Sequence, residues 1–194
     1  MKLQRNSGLI IFGLWLLGSV LQGCSLPAGQ VQGEIDQRSV TIDQCPIDEP
    51  PDALGMVTVN VYLICNNTVQ DVPRKVPDAA NTETLLTTTI EALLAGPTEE
   101  ERAVGLTSWF SSSTAGMLNS VTINSENEAI IDFVNFSEVI PNASTSAGSA
   151  SLISQLNKTV FQFGDVKSIT YQFDGSCEAF WNWLQSNCQR VIRE

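Results

Sequence analysis

Apolar and polar residues alternate from Val57 to Leu63: Val57, Val59, Val61 and Leu63 fall on one side, Thr58, Asn60 and Tyr62 on the other. A two-residue period predicts a strand with one buried face. The strand runs into Cys65-Asn66-Asn67, and the following polar stretch with Pro73 and Pro77 reads as a link. The period then becomes helical. Leu86, Ile90, Leu93 and Leu94 share one face, Asn81 or Thr82 can cap its start, and Gly96-Pro97 stops it. Thr98-Glu99-Glu100-Glu101 has the spacing of a capping box and lacks the Gly turn of a calcium loop. Val121 and Ile123 make one arm of a hairpin, Glu126-Asn127 its turn, and Ala129, Ile131 and Phe133 the inward face of the other arm. After a Ser/Ala/Gly-rich loop, Ile153, Leu156, Val160 and Phe163 mark a second helix closed by Gly164. Ile169, Tyr171 and Phe173 form a last strand ending at Asp174-Gly175. The order β-α-β-β-α-β predicts an α/β domain of α+β two-layer type, a small mixed sheet covered by two helices.

The two ends depart from this alternation. At the start, Lys2 and Arg5 precede an uncharged apolar stretch, Leu9 to Leu17, and then Leu21-Gln22-Gly23-Cys24. A charged start, a short apolar run and a small residue at the cut describe a secretory signal over residues 1–23. The run falls short of the roughly 20 residues of a spanning helix. Leu-Gln-Gly-Cys resembles the bacterial lipobox, in which the Cys is lipidated and becomes the first mature residue. Cys24 is therefore expected to anchor the chain to a membrane, in the cell envelope, facing the periplasm or the exterior. Residues 24–55, with Pro27, Pro46, Pro50 and Pro51 and little apolar periodicity, read as a flexible tether to a domain over 56–176. At the other end, residues 177–194 form an aromatic helical tail in which Phe180, Trp181 and Leu184 fit one face.

Charge narrows the partners. Loss of residues 1–23 removes two of the 10 basic residues and none of the 21 acidic ones, leaving 8 and a net charge of −13. Such a surface repels nucleic acid and anionic lipid, so the acyl chains would hold the membrane alone. The chain has no His, and so lacks the commonest general base and metal ligand. No complete nucleophile–base set or phosphate-binding Gly-rich loop is present. Asp132, Glu138, Asp165 and Asp174 are carboxylates for which structural roles suffice. No catalytic residue, metal or cofactor is expected.

Cys45, Cys65, Cys177 and Cys188 remain after Cys24, an even number that suggests disulfides in an exported chain. The short Cys177–Cys188 interval favours a staple across the tail, with Cys45 joined to Cys65. A crossed Cys65–Cys177 bond stays possible if the first and last strands end on the same side of the sheet. Trp109-Phe110 after Gly105, and Trp181 and Trp183 in the tail, are the candidate partner-binding aromatics; for the tail, docking of a short helix on its own domain is the favoured role, because Phe180, Trp181 and Leu184 fit one helical face.

Four ordered segments resemble one family. Ile90-Glu91-Ala92-Leu93-Leu94-Ala95-Gly96-Pro97-Thr98, then Gly105-Leu106-Thr107-Ser108, Ala129-Ile130-Ile131-Asp132-Phe133, and the strands Val57–Leu63 and Val166–Gly175 are similar to the GerMN domain. Trp109-Phe110-Ser111 stand where that family usually has Pro, Asn127 where it often has Gly, and the chain from Cys177 lies beyond the common domain. The resemblance implies an exported lipoprotein of the sporulation and germination type, a fold like that of ring-building secretion modules, and no recognised catalytic residues. The expected function is a non-catalytic, membrane-anchored module that binds envelope proteins or the peptidoglycan layer. The alternative is an envelope enzyme or a direct regulator of peptidoglycan remodelling.

Overall fold

A computed structural model describes residues 44–140 and 142–193. The signal peptide, Cys24 and most of the expected tether lie outside the described residues.

The elements run β1 (Met56–Cys65), β2 (Thr68–Pro77), α1 (Thr82–Leu94), α2 (Glu99–Ala103), β3 (Leu118–Ile123), β4 (Glu128–Phe133), α3 (Ser146–Phe161), β5 (Ser168–Phe173), α4 (Cys177–Trp183) and β6 (Val191–Ile192). The α+β class and the disulfide-stapled helical tail are as the sequence indicates. The stretch expected as a polar link is instead the strand β2, which pairs antiparallel with β1 from Met56↔Pro77 to Cys65↔Thr68. Asn66 and Asn67 both take positive φ, 47° and 64°, the geometry of a two-residue hairpin turn. The alternation of Val72 and Val76, both buried, was masked by Pro73 and Pro77. Asn60, opposite Pro73, turns its N–H and C=O away from β2, so the proline nitrogen faces the free edge, where no donor is needed.

β1 and β2 form a sheet of their own, and a second sheet has the order β3-β4-β5-β6. β3 and β4 are antiparallel, with Asn127 in the turn at φ 62°. β4 and β5 are parallel, joined across α3, and β6 adds antiparallel to β5. α1 is capped by Asn81, whose side chain accepts from the Thr84 N–H, and it buries Leu86, Ile90, Leu93 and Leu94 completely. It stops at Gly96, where φ is 75° and a Cβ would lie 2.5 Å from the Phe110 carbonyl oxygen. Both the backbone angle and the close approach demand glycine there. The Thr98/Glu101 capping box is formed.

On α3 the buried face is Leu152, Leu156 and Val160, together with Gln155 and Thr159, while Ile153 and Phe163 are half-buried. The face is thus rotated from the one the apolar spacing suggested, because β1 requires polar partners from this helix. α4 packs on β5 and sends Phe180, Trp181 and Leu184 into the core. Residues 44–55 have no regular structure before β1 except a turn at Leu54–Gly55, yet Cys45 is buried, so the domain gathers in part of the stretch read as tether.

Candidate binding surfaces

Four chemical groupings were open from sequence: the cysteines, the carboxylates, the Trp109-Phe110 pair and the tail aromatics. Cys45 is bonded to Cys65 and Cys177 to Cys188, with Cα separations of 5.6 and 5.4 Å. The first bond holds the approach to the domain against the end of β1. The second closes the chain around α4.

The carboxylates do not converge. Asp132 accepts from the Gly175 N–H at 2.8 Å and, with Asp174, from the Asn119 amide, each at 3.2 Å. These bonds fasten the ends of β4 and β5. Asp165 accepts from the Thr82 hydroxyl at the start of α1, 3.2 Å away, and Glu138 is exposed in the loop after β4. Among the described residues no group of three or more His, Cys, Asp or Glu side chains could hold a metal ion.

The aromatics divide. Phe110 is 1% exposed and Trp181 4%, so neither presents a face to a partner; both belong to the core. Phe110 meets Phe136 edge-on at 6.0 Å, and Trp181 meets Phe180 at 5.6 Å. Trp183 is half-buried and packs against Phe136, Phe173 and Phe180 at 5.4–6.1 Å. Tyr171 lies among the same rings, and burial pushes its phenol well above the usual tyrosine range; its Oη donates to Asn157 Oδ1 at 2.9 Å. Trp109 is half-buried beside α3. The indole N–H groups of Trp109 and Trp181 are buried without an acceptor.

Two features were not anticipated from sequence. The first is a row of polar side chains on α3 that serves the edge of β1. Gln162 bonds both the N–H and the C=O of Asn60, at 2.8 and 2.6 Å. The Tyr62 N–H donates to Thr159 Oγ1 at 3.2 Å, and the Tyr62 C=O accepts from Gln155 Nε2 at 2.6 Å. Ile64 completes the edge by exchanging two backbone bonds with Thr107. A strand edge that would invite another strand is thereby closed. Gln155, Thr159 and Gln162 follow a helical repeat, but their partners are backbone groups of the distant β1, so nothing local marks them as inward.

The second is Arg74. Its guanidinium bonds both Glu101 carboxylate oxygens and the carbonyls of Ala92 and Gly96. Arg74 and Glu101 side chains are 12% and 4% exposed. Glu101 also accepts from the Thr98 N–H at 2.7 Å, so one ion pair ties β2 to the end of α1 and the start of α2. The cation suits the carbonyl-rich end of a helix. At the surface nearby, the Lys75 ammonium beside Asp52, 2.6 Å away, holds that carboxyl below its ordinary range, and the same hydrogen bond raises Lys75.

Among the described residues no helix is long and apolar enough to cross a membrane. Residues 60–177 match the Germane family, described as sporulation and spore germination. Among solved structures, the chain is similar to the first GerMN domain of the sporulation protein GerM from Bacillus subtilis. Identity is 22% and the TM-score 0.44, over 61% of this chain and 84% of that one. The tandem GerMN domains of the same protein give 18% identity and a TM-score of 0.46, over 78% of this chain and 49% of that one. A Clostridium perfringens chain described as a candidate lipoprotein gives 20% and 0.40, over 66% and 82%. No curated protein matches.

Proposed function

The chain belongs to the Germane family of sporulation and spore germination domains, and from that membership we propose that it is a non-catalytic module of the cell envelope. Lipid on Cys24 holds it to a membrane, and the domain binds envelope proteins or the peptidoglycan layer. The observation that carries this reading is the pair of disulfides, Cys45–Cys65 and Cys177–Cys188. Such bonds persist outside the reducing cytosol, which agrees with the signal-like residues 1–23. Cys45–Cys65 ties residue 45 to the end of β1. Residues 25–44 separate the lipid-bearing Cys24 from the domain, and a chain of that length spans at most about 70 Å. That reach suits a module working on the wall or on neighbouring envelope proteins rather than on the bilayer itself.

Replacement of Cys24 by Ala tests the anchor: fractionated cells should show the variant released from membranes or held as uncleaved precursor. Normal maturation with full membrane retention would remove the lipid from the reading. Crosslinking in intact envelopes followed by recovery of the protein tests the rest, and should return envelope proteins or wall fragments with the wild type.

A further inference from the structure

The outward face of α3 is flanked by three adjoining recesses. The first, about 530 Å³, lies beside Trp109, Asn67, Thr107 and Ser151. The second, about 390 Å³, shares Asn67, Ala147 and Ser151 with it and continues past Ser154 to Lys158. The third, about 340 Å³, shares Ala150, Ser154 and Lys158 and ends at Phe161 and Ile192. Together they make a trough alongside Ala147 to Phe161, roughly 21 Å at 1.5 Å per helical residue.

Its chemistry is unlike the rest of the molecule. The chain carries 21 acidic residues, yet none lines any of the three recesses; the only ionisable side chain there is Lys158. One end holds the half-buried Trp109, whose N–H is buried, so the part of the indole that solvent reaches is carbon. The side chains of Asn67, Ser151 and Ser154 line the trough without a hydrogen-bond partner among the described residues. The Lys158 ammonium donates to the Val69 carbonyl at 3.2 Å and lies 5.8 Å from the Tyr62 ring centroid, and it lines both the second and the third recess, so a cation stands where the two meet.

An aromatic carbon surface, uncommitted amide and hydroxyl groups, and one cation in a neutral groove match a linear N-acetylated amino-sugar polymer whose lactyl carboxylates are free, as they are where stem peptides have been removed. Sugar C–H faces stack on the indole, hydroxyl and acetamido groups bond Asn67, Ser151 and Ser154, and the carboxylate meets Lys158. We propose that this trough binds peptidoglycan glycan strands from which the stem peptides have been removed. The proposal rests on the wall-binding branch of the function given above and assigns it a site.

The test is co-sedimentation of the purified full-length chain, in detergent, with protein-free peptidoglycan sacculi, both intact and after an amidase has removed their stem peptides. Wild type should sediment with the treated sacculi, and soluble glycan fragments should compete while free stem peptides should not. Trp109→Ala and Ser154→Glu should each weaken binding by roughly tenfold or more, as truncating or blocking an anchor of a site does. Lys158→Gln should remove most of the salt dependence. Ser154 has no partner to lose, so Ser154→Glu should keep the wild-type melting curve and remains decisive if Trp109→Ala folds poorly. Wild-type binding that survives Ser154→Glu, or that stem peptides alone displace, overturns the trough as a glycan site and leaves wall binding standing. Failure of the wild type to sediment with either overturns both.

Discussion

Arg74 brings a full charge into a setting that excludes most water, and the fold answers with four acceptors. Two belong to Glu101, and two are carbonyls at the end of α1. A buried pair contributes little over a well-packed apolar pair, but removing one partner strands the other. Arg74→Ala is therefore expected to destabilise the domain by about 3–5 kcal/mol. Arg74→Met with Glu101→Leu should lose less than that single change, although the Thr98 N–H forfeits its acceptor. Urea unfolding of the three proteins checks the order; an Arg74→Ala protein within about 1 kcal/mol of wild type would show that the pair is not the tie described. Tyr171 makes a second, pH-dependent test. Burial raises its folded pKa, so the unfolded chain gives up the proton first as pH climbs past about 10. Stability from this group is complete below that point and falls above it. Tyr171→Phe should flatten the alkaline fall in melting temperature while losing the bond to Asn157; an unchanged alkaline limb would place the titration elsewhere, Tyr62 being the other phenol raised by burial.

At the scale of elements, α3 does two jobs with one buried face. Leu152, Leu156 and Val160 fill the core, while Gln155, Thr159 and Gln162 complete the edge of β1. Gln155 holds the most partners, since its Oε1 accepts from the Trp109 backbone N–H and its Nε2 donates to the Tyr62 carbonyl. Gln155→Leu keeps much of the volume but orphans both, which should lower stability by about 1–3 kcal/mol for each buried group left unpaired. Hydrogen exchange at the Trp109 backbone amide, which loses its acceptor, should rise with it; an unchanged rate there would mean that Gln155 is not the tie described. This dual role explains what the sequence did and did not disclose. The α1 face, the Asn81 cap, the Gly96 stop and the β3–β4 turn at Asn127 are local, each set by residues a few positions apart, and were legible. The α3 face was misjudged by one position because Gln155 and Thr159 count as solvent-facing in any apolar tally, and only the distant Tyr62 backbone makes them inward. β2 was hidden by two prolines whose harmlessness depends on which edge they face. The helical spacing of Phe180, Trp181 and Leu184 favours packing and so made the burial of Trp181 legible, whereas Phe110, in a loop without periodicity, carries no signal that tells a ring seeking a partner from one that completes a core.

Over the whole molecule, the tail decides where the domain ends. The family match stops at residue 177, and the sequence alone suggested a domain over 56–176 with an appended helix. The core takes that helix in. Phe180 lies 5.0 Å from Phe173, 5.2 Å from Tyr171 and 6.1 Å from Phe133, and it is fully buried. Cys188 in turn pins the chain that follows, so two contributions can be separated by size. Cys177→Ser with Cys188→Ser opens a small loop and should lower stability by about 3 kcal/mol on the chain-entropy account, leaving a folded protein. Ending the chain after Ser176 removes Phe180, Trp181 and Leu184 together. Truncating one such buried aromatic costs about 3–5 kcal/mol, against a net stability of about 5–15 kcal/mol for a domain. The shortened chain should therefore lose its cooperative melting transition and near-ultraviolet dichroism, while the double serine variant keeps both at a lower melting temperature. A shortened chain that melts cooperatively within a few degrees of the full one would mean that the rings of β4 and β5 close over without the tail, and that residues 177–193 are an addition to a core already complete.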